Sequence, residues 1–222
     1  MSLIGNIIKG RRSISEFENR ELPRKTIDEL VEMASWAPST TNTQPWFFLV
    51  FDTEESKERL NWYIDEGYKK KYASLKDIQP ILGRAYETML RFFHRYGKFD
   101  EAPVYMLVFA KPYDKPGISQ AVRLTKDPQL TELVSQSVKT SVAMAMQNLL
   151  LEAYARCIGT RVKDGIKIFP SFSELKQQFY AEFDIDPAYE LVSGIQLGYP
   201  TQKSLRRKPD KRRPLEEIRR YV

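Results

Sequence analysis

Three short runs of the chain are apolar at almost every position rather than at every second one: residues 46–52 (WFFLVFD), 104–111 (VYMLVFAK) and 191–197 (LVSGIQL). A strand with one wet face alternates, so unbroken runs predict strands covered on both faces, with helices as the cover. The segments between them carry helical signals. Leu3, Ile4, Ile7 and Ile8 have helical spacing and predict a short helix that stops near Gly10. Thr26 and Glu29 form a capping-box pattern, Ile27, Leu30, Val31, Ala34 and Ala37 share one helix face, and Pro38 ends that helix. Residues 133–156 predict the longest helix, and its middle, SVAMAMQNLLL, is apolar nearly all round, as befits a core or dimer helix. Ser173 is expected to cap a further helix that runs to Phe183. With 222 residues, no internal repeat and no low-complexity linker, the chain reads as one domain, an α+β sandwich.

A composition of 42% hydrophobic and 29% charged residues excludes disordered, collagen-like and disulfide-stapled classes. The formal charge of +6 would suggest nucleic acid or an anionic membrane if it were spread over a surface. It is not spread: residues 203–222 hold nine Lys and Arg against three acids, and the body is neutral. Tyr221 is the tail's one aromatic and no nucleic-acid motif accompanies it, so neither nucleic acid nor membrane is an expected partner. The longest uncharged run, residues 33–51, contains Pro38, Pro45, Asn42 and Gln44, which rules it out as a membrane helix. One cysteine and one histidine exclude an internal disulfide and a Cys/His zinc cage, and point to a reducing, cytoplasmic location. The opening MSLIGNIIKGRRS has its arginines on the wrong side of the apolar stretch for a secretion signal and reads as mature protein.

No G-x-S-x-G, H-E-x-x-H or P-loop pattern occurs, which removes support from hydrolase and kinase readings. Cys157, in YARCIGT, reads as a buried small hydrophobe, and His94 as a surface or lid residue. Residues 54–100 read as a helical insertion or lid with a mobile part around residues 69–76. Its aromatics Trp62, Tyr63, Tyr68, Tyr72, Phe92 and Phe93 are expected mostly to pack the inserted helices rather than to stack on a ligand. Three segments stand out. Residues 11–17 (RRSISEF) pair two arginines with two hydroxyls, a set suited to a phosphate and a polar ring edge. Residues 37–46 (APSTTNTQPW) place hydroxyls and amides between two prolines, as in a shaped binding loop. Residues 209–218 (PDKRRPLEEI) supply cations that could complete an anion site.

In that order, together with QNLLLEAYARCIGT and LGYP, these segments resemble the FMN-dependent nitroreductase superfamily across nearly the whole chain. The resemblance implies a three-layer α-β-α sandwich around a mixed, largely antiparallel sheet, in a domain-swapped homodimer with FMN at the subunit interface. By position, Arg11, Arg12, Ser13 and Ser15 match the residues on the FMN phosphate, ribityl chain and ring edge, and Arg212 matches a second phosphate cation. Pro38, Ser39, Thr40 and Asn42 match a loop that reaches the flavin from the partner, and Val162, Lys163, Asp164 and Gly165 match the segment beside flavin N5. Residues 203–222 become a C-terminal dimer arm, with an edge strand expected at residues 218–222. The implied activity is hydride transfer from NAD(P)H through FMN to a planar electron-poor acceptor, a nitroaromatic or quinone. A halophenol or halotyrosine dehalogenase using Asp65, Tyr68 and nearby lysines is the alternative, followed by a flavin sensor and then a nucleic-acid binder. Ser15 departs from the family, which often has Arg or Lys there, and so predicts a lower flavin potential unless Lys69, Lys70 or Lys71 substitutes.

Overall fold

A computed structural model describes residues 2–75, 83, 85, 88, 89, 92, 99, 102–206 and 211–222. Lys76, Phe93, His94, Pro209 and Asp210, and most of the insertion beyond residue 75, lie outside the described residues. Four strands form one sheet in the order β1-β2-β4-β3: β1 Trp46–Phe51, β2 Val104–Ala110, β3 Gly159–Val162 and β4 Glu190–Gly198. All three pairings are antiparallel, and a parallel bridge between Ser13 and Thr160 at the β3 edge gives the sheet its mixed character.

Every residue of β2 is buried, and alternate side chains enter two different cores. Val104, Met106, Val108 and Ala110 face α2 (Arg24–Ser35) and the long α5 (Pro128–Ala155), against Leu30, Ala34, Val142, Ala145 and Leu149. Tyr105, Leu107 and Phe109 face α3 (Glu54–Leu75), the 3-10 segment Asp164–Ser171 and α6 (Ser173–Glu182), against Leu60, Ile64, Phe169 and Phe179. The first core is aliphatic and lets α2 and α5 approach closely, whereas the second is filled by rings. Two peripheral helices complete the layers, α1 (Leu3–Gly10) and α4 (Pro116–Thr125). The expected three-layer sandwich is the observed fold.

Three helix starts differ from expectation. The Ile27 N–H already bonds Pro23 O, so α2 begins at Arg24 and Thr26 arrives too late to cap it. Likewise Phe172, not Ser173, is the N-cap of α6, since Lys176 N–H bonds its carbonyl. An Asp-Pro start extends α5 back to Pro128: Asp127 Oδ1 accepts the Gln129 N–H at 2.8 Å. β3 was not expected; four residues are too few to show a period.

Within the insertion, residues 69–75 continue α3, and Tyr63 and Tyr68 pack into the second core as expected. Gly67 sets how closely α3 approaches the 3-10 segment, because a Cβ there would lie 2.7 Å from Phe169 Cα. Backbone cannot yield as a side chain can. Gly67→Ala is therefore expected to lower stability by about 1–3 kcal/mol in thermal or urea unfolding, with the native circular dichroism retained.

α3 is also tied to α6 through Glu182, which accepts from Arg59 and, at 2.7 Å, from the Tyr63 hydroxyl. The Arg59 hydrogen bond, aided by Tyr63, holds this carboxyl below the ordinary carboxylate range. A lowered folded pKa stabilises above the unfolded value, and that stability fades as pH falls through the folded one. Glu182→Gln is expected to unfold more easily than the parent near pH 7, with the two curves converging as pH falls below the folded pKa of Glu182.

Candidate functional site

α5 ends in a Schellman turn, with Ile158 N–H bonded to Ala153 O at 2.8 Å and Cys157 N–H to Tyr154 O at 3.0 Å. Cys157 occupies the left-handed position of this turn at φ 60°, and it is exposed. The expectation of a buried thiol is thereby corrected: a helix-end residue that reverses the chain faces outward. The turn delivers Gly159 into β3, one of the two edge strands of the sheet.

The segment after α1 lies along that edge. Ile14 N–H donates to Thr160 O at 2.9 Å, and Ile14 is buried while Ser13 and Ser15 on either side of it are exposed. Further along, Ser204 Oγ accepts the Glu16 N–H at 3.1 Å and donates to Glu16 O at 2.9 Å, and Phe17 bridges Pro200. Residues 11–18 are thus held between β3 and the turn after β4, with both serine hydroxyls directed away from the core.

Arg11 and Arg12 line one cleft, and Arg212 is near enough for its charge to act on Arg11. Arg12 Nη1 donates to Gly10 O at 2.7 Å, which caps the end of α1. Burial pushes the Arg11 pKa down, and the charges of Arg212 and Arg12 lower it further. Among the described residues no carboxylate pairs with any of the three. Guanidiniums that act on one another and have no carboxylate partner among the described residues are of the kind suited to a multiply charged anion. Beside them opens a cleft of about 630 Å³, lined by Leu3, Ile7, Ile14, Tyr154, Thr160 and Leu205 among others. Anionic at one end and largely apolar along its length, an aromatic phosphate ester would match it.

Residues 163–165 follow directly on the end of β3, three to five residues beyond Thr160. The Lys163 side chain is fully buried, so this lysine offers no exposed cation to the cleft, and the residue's backbone N–H bonds Gly194 O at 2.8 Å. Asp164 accepts from Ser193 Oγ at 2.9 Å, and Gly165 O accepts from the Tyr68 hydroxyl at 3.3 Å. Val162 is partly exposed at the same edge.

The loop of Pro38, Ser39, Thr40 and Asn42 is elsewhere. Thr40 N–H bonds Ser141 Oγ in the middle of α5 at 3.3 Å, while Gly10 and Arg11 sit by Tyr154 near its end. Thirteen residues of helix separate the two contacts, about 20 Å. One chain therefore does not bring this loop to the arginine cluster. The loop is strained: Thr41, Asn42 and Gln44 all have positive φ, at 51°, 52° and 46°. For a β-branched threonine that conformation is costly. Neither this strain nor the Tyr113 hydroxyl that contacts the loop had a sequence signal beyond the prolines and amides.

Other candidates are accounted for by the fold. Lys69 pairs with Glu66 at 2.6 Å and Lys70 with Glu174 at 3.2 Å, both at the surface. Tyr68 is buried, with its pKa pushed up to about 12 by that burial. The described tail residues 211–222 are exposed and form no strand within the single chain; Arg219 stacks on Tyr221. Among the described residues no group of His, Cys, Asp and Glu could hold a metal, and no helix is long and apolar enough to cross a membrane.

Comparison with known proteins finds the family model described as "Nitroreductase family" matching residues 8–199. The chain is 26% identical over 206 residues to 4-nitrobenzoate reductase of Pseudomonas putida, covering 89% of this chain and 86% of that one. It is 25% identical over 222 residues to iodotyrosine deiodinase of Hydra vulgaris, covering 95% and 70%. The FMN-dependent nitroreductase NfnB from Mycobacterium smegmatis, solved in complex with NADPH, shares the fold at a TM-score of 0.65 and 20% identity, over 98% of this chain and 97% of that one.

If the arginine cluster is an anion site, inorganic phosphate should raise the melting temperature of the parent. Arg11→Gln and Arg212→Gln should lose that rise while melting no lower than the parent without phosphate, since each removes like-charge repulsion.

Proposed function

Because the chain belongs to the nitroreductase family, we propose that it is an FMN-dependent oxidoreductase that works as a homodimer and reduces planar nitroaromatic or quinone acceptors with NAD(P)H. The observation that carries this reading is the set of Arg11, Arg12 and Arg212, without a carboxylate partner among the described residues, together with the largely apolar cleft that Arg11 and Arg12 line beside β3. A residue set of this kind fits FMN, with its single phosphate and flat ring. Bound there, FMN would supply the redox chemistry between NAD(P)H and the acceptor.

The residues of the chain bind and orient. Arg11, Arg12 and Arg212 hold the phosphate by charge-assisted hydrogen bonds. Exposed Ser13 and Ser15 offer hydroxyls to the ribityl chain and the pyrimidine edge. Val162, Asp164 and Gly165 would flank the ring, with the Asp164 carboxylate held by Ser193 and the Gly165 carbonyl by Tyr68. Pro38, Ser39, Thr40 and Asn42 cover the site from the partner subunit, which agrees with their distance from the arginines of their own chain. A second copy is also supported by exposed apolar side chains on α1 (Leu3, Ile4, Ile8), α5 (Leu133, Met144) and the tail (Leu215, Ile218, Tyr221). In this dimer the tail is an arm on the partner.

The dehalogenase reading asks Tyr68 and the nearby lysines to grip a substrate. The Tyr68 hydroxyl is instead used on Gly165 O, and Lys69 and Lys70 are paired with carboxylates. General acceptor reduction is the better fit.

Purified protein should be yellow, bleach on anaerobic addition of NADH or NADPH, and regain colour with a nitroaromatic or quinone. A colourless protein that FMN cannot reconstitute overturns the reading, and a bound flavin that nicotinamide cannot reduce makes the protein a sensor. Arg212→Gln is expected to weaken FMN binding by about tenfold or more, the loss of a charged hydrogen bond. Ser15→Arg should raise the flavin potential, because no cation from Lys69 or Lys70 takes that place.

A further inference from the structure

The strained loop needs a restraint, and its geometry identifies one. Thr41 Oγ1 lies 2.8 Å from the hydroxyl of Tyr113, a buried residue packed in the first core. The same Oγ1 lies 2.7 Å from Thr40 O, which takes its one proton, so Tyr113 donates and Thr41 accepts. Thr43 Oγ1 donates to Thr40 O at 3.0 Å and Gln44 N–H to Ser39 Oγ at 3.1 Å. Those two bonds are internal to the loop and move with it, whereas Tyr113 and the Ser141 contact of Thr40 tie it to the core. Of these two ties, only Tyr113 acts on a residue at positive φ.

We infer that Tyr113 is a positioning residue that holds Thr41 in its left-handed conformation and so presents Ser39, Thr40 and Asn42 in the shape that covers the flavin of the partner subunit. This rests on the FMN reading and names a residue outside the motifs that suggested it. Without its tie, Thr41 relaxes to a negative φ, the loop changes shape, and the site on the other chain loses its cover. Strain is retained because a core tyrosine overrides it.

FMN dissociation constants from flavin fluorescence, measured on dimeric protein stripped of FMN, test the idea alongside the melting temperature of the stripped protein. Tyr113→Phe keeps the ring and its packing. It should weaken FMN binding by about 3- to 10-fold, the worth of one neutral hydrogen bond, with little change in melting temperature. Thr41→Ala should do the same, the double variant Tyr113→Phe/Thr41→Ala should be no worse than either single, and Thr41→Ser should bind as the parent does. Glycine pays no penalty at positive φ, so Tyr113→Phe/Thr41→Gly should regain most of the lost affinity. A parent that binds FMN together with a Tyr113→Phe variant that binds it equally well overturns the inference alone. Additive losses in the double variant, or no recovery with glycine, overturn it too. A parent that binds no FMN overturns the proposed function and the inference with it.

Discussion

Burial of β2 on both faces is the constraint from which the rest of the molecule follows. A strand with no wet face must sit inside the sheet and under two layers, so β1 and β4 take its two edges and helices close both sides. The division of its side chains sets the character of each layer. Small aliphatic residues admit α5 at close range, and the rings of the other face hold α3, α6 and the 3-10 segment. With β2 and β4 both interior, β1 and β3 are the edges, and it is the β3 edge that the segment after α1 lies along.

The length of α5 then decides how a site can be completed. Its end carries the turn into β3 and packs beside Gly10, which fixes the arginine cluster; its middle carries Ser141, which fixes the proline-flanked loop. A helix is a rigid spacer, and about 20 Å between the two contacts is more than one flavin ring can bridge within a single chain. Either the loop has no part in binding or it serves another copy. The exposed apolar residues on α1 and α5 favour the second, because that surface is hidden only by pairing.

Most of the fold was legible because it rests on patterns with a period or an unbroken run: the strands at residues 46–52, 104–111 and 191–197 and the long helix were all readable. The positions of Arg11 and Arg12 were readable too, since charge at a helix end shows in the order of residues. What escaped depends on partners distant in sequence. β3 is too short to have a period and exists because Gly198 to Ile195 lie beside it. Thr26 and Ser173 looked like caps, but Pro23 and Phe172 supply the first helical carbonyls. Cys157 looked buried by composition, whereas the Schellman turn turns its side chain outward.

The hidden part of the candidate site is of the same kind. Nothing in the letters S-T-T-N-T-Q states that Thr41, Asn42 and Gln44 take positive φ, since none of them is the glycine that usually reports such a turn. Asparagine tolerates that region, threonine does not, and a chain free to choose would place glycine there. Threonine there needs a tie that glycine would not, and its hydroxyl lies 2.8 Å from that of the core residue Tyr113. The sequence pattern therefore marks where the loop is, and the dihedral angles together with one long-range hydroxyl contact mark what holds it.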